Sequence, residues 1–136
     1  MGGARVVLYV EDDDATFALV RIILAEEAPE VRLLRAVDGE QALRLLRKSA
    51  PYEASPRPDL ILLDWNLPKK NGFELLSDLK REERLRSIPV VMFSTSSSRA
   101  AREVSLELGA RDYVTKPSNF DSFVDAVKTA CHTHDR

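Results

Sequence analysis

Residues 59–68 read DLILLDWNLP: an apolar run, Leu60-Ile61-Leu62-Leu63, that ends on Asp64 and is followed at once by Trp65-Asn66-Leu67-Pro68. The run is short and unbroken, too apolar for a strand with one face in water, so it reads as a strand buried on both faces. Asp64 then falls at the strand's carboxyl end, the edge where open α/β sheets place their ligands. A second run, Val6-Val7-Leu8-Tyr9-Val10, closes on Glu11-Asp12-Asp13-Asp14. Two buried strands that both end in carboxylates point to one shared site.

On either side of this run, strand-like segments alternate with segments of helical period, the pattern of a parallel sheet covered by helices. Val6–Val10 is the first predicted strand. Ala15–Glu27 follows as a helix with Phe17, Val20, Ile23 and Leu24 on one face, and it stops before Pro29. Val31–Ala36 is the second strand, Asp38-Gly39 a turn, and Glu40–Lys48 a helix carrying Ala42, Leu43 and Leu46. Residues 50–58 (APYEASPRP) hold three prolines and form neither helix nor central strand. They read as a surface loop, with an interaction element as the sharper alternative. Asp59–Leu63 is the third strand, Gly72–Arg84 a helix with Phe73, Leu75, Leu76 and Leu79 apolar, and Pro89–Ser94 the fourth strand. Arg99–Leu108 is a helix stopped by Gly109, Arg111–Thr115 the fifth strand, and Phe120–Cys131 the last helix, capped by Asn119 or Ser118. Five βα units in this length make one doubly wound sheet.

At 136 residues the chain is long enough to bury a core as one domain, residues 1–136. Its net charge of −2 argues against sequence-independent nucleic-acid binding, which needs a basic face. No apolar stretch reaches the length of a membrane span, and no secretory segment is present. Met1-Gly2-Gly3 opens like a myristoylation signal, but Val6 stands where that signal wants Ser or Thr. The single Cys131 excludes an internal disulfide, fits a reducing cytoplasm, and reads as an ordinary helix residue rather than a nucleophile.

Four of the five strands end in a polar residue able to reach a common point: Glu11 and Asp12, Asp64, Ser94 and Thr95, and Lys116. Clustered carboxylates repel one another unless a cation neutralises them. Oxygen-only ligation with open positions suits a hard divalent ion that keeps several waters, so Mg²⁺ is expected rather than zinc. An ammonium at Lys116 and a hydroxyl at Ser94 complete a site for a phosphoryl group. An aspartate beside such a metal can itself be the nucleophile and form an acyl phosphate. Each residue also has a plain reading: Asp13 or Asp14 as helix caps, Ser94 as a turn residue, Lys116 as a solvated lysine. Their conjunction at successive strand ends favours the site.

Val10-Glu11-Asp12-Asp13, Asp59–Pro68 with Gly72, Pro89–Thr95 (PVVMFST) and Gly109–Pro117 (GARDYVTKP) occur in this order. Together they resemble the receiver domain of two-component response regulators over almost the whole chain. The proline-rich insertion, Pro68-Lys69-Lys70-Asn71-Gly72 and Thr95-Ser96-Ser97-Ser98 are further similar to stand-alone regulators paired with bacterial phytochromes.

The resemblance implies a five-stranded, flavodoxin-like parallel sheet of strand order 2-1-3-4-5 with helices on both faces. It implies that Asp64 accepts a phosphoryl group from a phosphohistidine on a sensor histidine kinase. Glu11 and Asp12 would hold Mg²⁺, with Asp64 and the backbone carbonyl of Asn66 as further ligands. Ser94 would bond a phosphoryl oxygen and Lys116 pair with its charge. The peptide bond before Pro117 is expected to be cis, aiming Lys116 inward. Tyr113 matches the aromatic that changes rotamer as the hydroxyl moves. About two added negative charges at Asp64 would draw Ser94 and Lys116 inward and repack the face near Tyr113.

Some positions depart from the commonest pattern of the family. Glu11 stands where aspartate is frequent, and its longer reach suits ligation through water. Ser94 replaces threonine. Thr95 is larger than the usual small residue, so it either restricts access or supplies the switching hydroxyl in a shifted register. Trp65 is bulky beside a metal site and reads as packing, with fluorescence able to report Mg²⁺ binding.

With no output domain expected after the last helix, signalling would pass to a protein target. The expected face is Arg99–Leu108, Arg111–Thr115 and Phe120–Cys131, with a homodimer as one use of it. The competing reading is a phosphate sink or passive interaction module. An aspartyl-phosphate hydrolase is disfavoured because Asn66 stands where its acid/base carboxylate belongs. A calcium loop starting at Asp12 fails at its sixth and twelfth positions, Phe17 and Ile23, and no Gly-rich phosphate turn follows the first strand. His132 and His134 read as solvated tail residues.

Overall fold

Five parallel strands form one sheet in the order β2-β1-β3-β4-β5: β1 (Arg5–Val10), β2 (Val31–Ala36), β3 (Leu60–Leu63), β4 (Val90–Ser94) and β5 (Asp112–Thr115). The computed structural model describes residues 5–132, apart from the side chain of His132. Met1-Gly2-Gly3, His134 and the His132 side chain therefore lie outside the described residues. The helices are α1 (Asp14–Glu27), α2 (Gly39–Leu46), α3 (Gly72–Arg81), α4 (Arg99–Glu107) and α5 (Phe120–His132). This is the flavodoxin-like arrangement and strand order expected from the sequence.

All four residues of β3 are fully buried, because side chains alternate between two apolar layers. Ile61 and Leu63 join Leu8, Val10, Met92, Leu75, Leu76 and Leu79 on one face, under α2 and α3. Leu60 and Leu62 join Val7, Tyr9, Phe93, Val20, Leu24 and Val127 on the other, under α1 and α5. Burying each such aliphatic side chain contributes about 1.5–3 kcal/mol, so the central strand anchors both layers.

The register aligns the functional ends. Val10 pairs with Leu63, Leu63 with Met92, and Ser94 with Thr115. Two ladder bonds continue past the strands, from the Glu11 amide to the Ala36 carbonyl at 2.9 Å and from the Lys116 amide to the Ser94 carbonyl at 2.7 Å. Glu11, Asp64, Ser94 and Lys116 consequently stand along one edge of the sheet.

Helix caps follow the sequence chemistry. Asp13 caps α1, Asp38 caps α2, and Asn71 with Glu74 forms a capping box on α3. Asn119 Oδ1 accepts the Ser122 amide at 3.0 Å at the start of α5. The predicted α3 ran to Arg84, but the helix stops at Arg81. Glu82 takes an extended backbone and pairs with Arg47 beside α2, and the chain then turns to bury Leu85 and Ile88. Residues 50–58 contain no helix or strand, and Tyr52 ties them to α2 by accepting from Gln41 at 2.9 Å. Among the described residues no helix is long and apolar enough to cross a membrane.

Candidate functional site

Strand alternation puts Tyr9, Glu11, Asp64 and Lys116 on the same side of the sheet edge. Lys116 reaches from the end of β5 across β4 and donates to Glu11 Oε1 at 2.7 Å and Asp64 Oδ2 at 2.9 Å. The three side chains are 6%, 3% and 11% exposed, so each charge depends on its partners rather than on water. The ammonium also lies over the rings of Phe93 and Tyr9, 5.4 and 5.9 Å from their centroids.

Glu11 accepts three hydrogen bonds. Its Oε1 accepts from the Tyr9 hydroxyl at 2.9 Å as well as from Lys116, and its Oε2 accepts the Asp13 amide at 3.1 Å. Burial, reinforced by the adjacent Glu11 carboxylate, pushes the Tyr9 phenol above its ordinary range, so it remains a donor. Asp13 is spent on capping α1, and its two bonds from Thr16 hold its carboxyl below the usual range. Asp14 pairs with Arg35 at 2.8 Å, and Arg35 also donates to the Glu11 carbonyl at 3.1 Å. Asp12 follows Glu11 directly and is exposed, as are Asp13 and Asp14.

Asp64 is held from behind. Its Oδ1 accepts the Asn66 amide at 3.2 Å, and Trp65 turns away to pack on Phe73 with ring centroids 4.7 Å apart. The Gly72 amide donates to the Trp65 carbonyl at 3.0 Å, and a Cβ on Gly72 would meet the Asp64 carbonyl oxygen at 2.0 Å. Glycine is thus required for α3 to start this close to the site.

Ser94 is fully buried at the end of β4, whereas Thr95 is exposed and lines a cleft with Thr16, Lys116, Pro117 and Phe123. Tyr113 is buried, and its hydroxyl donates to the Ser96 carbonyl at 2.8 Å, tying β5 to the loop after Ser94. Arg102 on α4 donates to the Tyr113 carbonyl at 2.9 Å.

One expectation is corrected. The cis bond expected before Pro117 is not found: among the described residues the cis peptide bond is Ala50–Pro51. Lys116 is aimed inward by its two carboxylates and by the backbone bond to Ser94. Lys116 bonds to both Glu11 and Asp64 and so supplies one of the positive charges that these carboxylates need. Among the described residues no three His, Cys, Asp or Glu side chains gather as a metal cage. Of the oxygen donors that the resemblance names, Asp12 and Asn66 are exposed and Asp64 is 8% exposed. Such a sparse set fits an ion that retains most of its waters, as Mg²⁺ does.

Residues 7–128 match the family model for the response regulator receiver domain. The chain belongs to this family. It is 40% identical over 124 residues to the response regulator Rcp1 of Synechocystis sp., covering 91% of this chain and 84% of that protein. It is 37% identical over 125 residues to the phosphate regulon regulatory protein PhoB of Escherichia coli, covering 92% of this chain but only 51% of PhoB. Among solved structures, the phosphorylated cyanobacterial phytochrome response regulator RcpA superposes with a TM-score of 0.89 at 35% identity, covering 96% of this chain and 93% of that one. Rcp1 in its Mn²⁺-bound form gives 0.87 at 38% identity, with 94% and 92% covered. The receiver domain described here therefore shares its fold and family with phytochrome response regulators, and membership implies phosphorylation-dependent switching.

The reading missed Tyr9 and Arg35. Tyr9 hides inside an apolar run, although its separation of two from Glu11 on one strand was a usable signal. Arg35 gave none, since only the β1–β2 pairing brings it to the site.

Proposed function

We propose that this receiver domain is a Mg²⁺-dependent switch that takes a phosphoryl group on Asp64 from a phosphohistidine of a sensor histidine kinase. The observation that carries the reading is the buried carboxylate of Asp64, bonded to Lys116 at 2.9 Å at the carboxyl edge of the sheet. An Asp64 oxygen attacks phosphorus, the phosphorus–nitrogen bond of the donor breaks, and an acyl phosphate forms. Lys116 exchanges its hold on the Asp64 carboxylate for one on the phosphoryl oxygens, keeping the charge paired throughout. Asp12, Asp64 and the Asn66 carbonyl would hold Mg²⁺, which would supply positive charge to the oxygens of donor and acceptor. Glu11 would stand beside the ion while anchoring Lys116.

Ser94 supplies the hydroxyl that meets the phosphoryl group. Because Tyr113 is bonded to the Ser96 carbonyl, movement of the 94–96 segment carries the tyrosine with it. The resulting change is read by a protein target on the face of α4, β5 and α5, with a homodimer as one form of that contact. Asn66 offers no second carboxylate to activate water, which favours a held phosphoryl group over a turned-over substrate.

Incubation with Mg²⁺ and acetyl phosphate tests this directly. Intact mass should rise by one phosphoryl group in the wild type and not in Asp64→Asn. No gain in the wild type, or an equal gain in the variant, overturns the assignment.

A further inference from the structure

Tyr9 is the one hydroxyl on β1, and its phenol points along the strand to the acid of the site rather than into the core. It is fully buried, stacks on Phe17 with ring centroids 5.9 Å apart, and packs on Phe93 at 6.2 Å. A buried phenol needs a partner. Its partner is Glu11 Oε1, the oxygen that also accepts from Lys116.

From this geometry we infer that Tyr9 is a positioning residue that fixes Glu11 as the anchor of Lys116 and withholds it from direct metal ligation. The inference rests on the metal-assisted reading above. With the Tyr9 hydroxyl and the Lys116 ammonium both donating to Oε1 and the Asp13 amide to Oε2, the Glu11 carboxylate would give up a charge-assisted bond to ligate an ion through Oε1 and keeps only one lone-pair direction, on Oε2, for it. Tyr9 thereby sets two properties at once. It holds Lys116 in place through Glu11 when Asp64 carries no phosphoryl group. It also weakens the divalent site, leaving Asp12, Asp64 and the Asn66 carbonyl as its protein donors.

Tyr9→Phe isolates the hydroxyl, because the ring that packs on Phe17 and Phe93 and faces Lys116 is retained. Calorimetric titration with Mg²⁺, without any phosphodonor, reads the effect, and the fluorescence of the single Trp65 gives a second readout. Losing one bond to a charged acceptor should tighten Mg²⁺ binding about three- to tenfold, the change expected when Glu11 is freed to contribute. In a Glu11→Gln background the same substitution should change the constant by less than about twofold, since the coupled partner is gone.

Unchanged or weaker binding in Tyr9→Phe overturns the inference. So does an equal shift in both backgrounds, which would mark a packing effect unconnected with Glu11. A wild type that shows no Mg²⁺ saturation overturns the metal-assisted reading and this inference together. Phosphorylation of Asp64 by acetyl phosphate, measured separately, keeps those failures apart.

Discussion

Replacing Lys116 by methionine keeps a flexible side chain of similar length and removes the ammonium. Glu11 and Asp64 would then face each other across the sheet edge without the cation that bonds to them at 2.7 and 2.9 Å. Removing one partner from a buried ion pair costs about 3–5 kcal/mol, because the remaining charge is left desolvated. Here two carboxylates are stranded, at 3% and 11% side-chain exposure, so the upper part of that range is expected in EDTA. For a chain of 136 residues this corresponds to a fall in Tm of about 10–20 °C. A divalent ion offers the stranded carboxylates a replacement charge, so Mg²⁺ should recover part of the loss in the variant and stabilise the wild type less. Urea unfolding followed by circular dichroism, in EDTA and in saturating Mg²⁺, measures both effects. A loss below about 1 kcal/mol in EDTA is what a solvent-screened surface pair gives and would refute the lysine as the internal counterion.

Gly72→Ala would drive a Cβ to 2.0 Å from the Asp64 carbonyl oxygen, and no side-chain rotation relieves a clash with backbone. A loss of about 3 kcal/mol or more is expected by chemical denaturation, together with slower phosphorylation of Asp64. Cys131 is buried and its thiol is pushed up from 9.0 to about 12, with desolvation as the main cause. It should resist Ellman's reagent in the native protein at pH 8 and react promptly in urea. The folded value lies above the unfolded one, so the thiol's contribution is intact below about pH 9 and fades as pH rises toward about 12, by about 1.4 kcal/mol per unit. Urea melts of Cys131→Ala should show a correspondingly shallower alkaline decline than the wild type, and an identical slope would contradict the burial.

What was legible in the sequence follows from where burial leaves a pattern. A strand covered on both faces must be apolar at every position, so β1, β3 and β4 stand out, and the polar residue that ends each run marks the sheet edge. Helix ends are less visible, because the segment Lys80–Arg86 keeps helix-forming residues past the true end of α3. There a tertiary pair, Glu82 with Arg47, and the burial of Leu85 outweigh local propensity.

At the site, strand ends were enough to name Glu11, Asp64, Ser94 and Lys116 as neighbours, but not to say which charge neutralises which. Net charge at a point is satisfied equally by a metal ion or by an ammonium on a four-carbon stem, and composition does not distinguish them. The structure places the Lys116 ammonium over the rings of Phe93 and Tyr9 and within bonding distance of both carboxylates. The phenol of Tyr9 then occupies the remaining lone-pair direction at Glu11 Oε1. A phosphoryl group entering here would meet a lysine that is already desolvated and already committed. On the proposed reading, its capture would break one buried ion pair to make another, and that exchange would couple Asp64 to the end of β5, which carries Lys116.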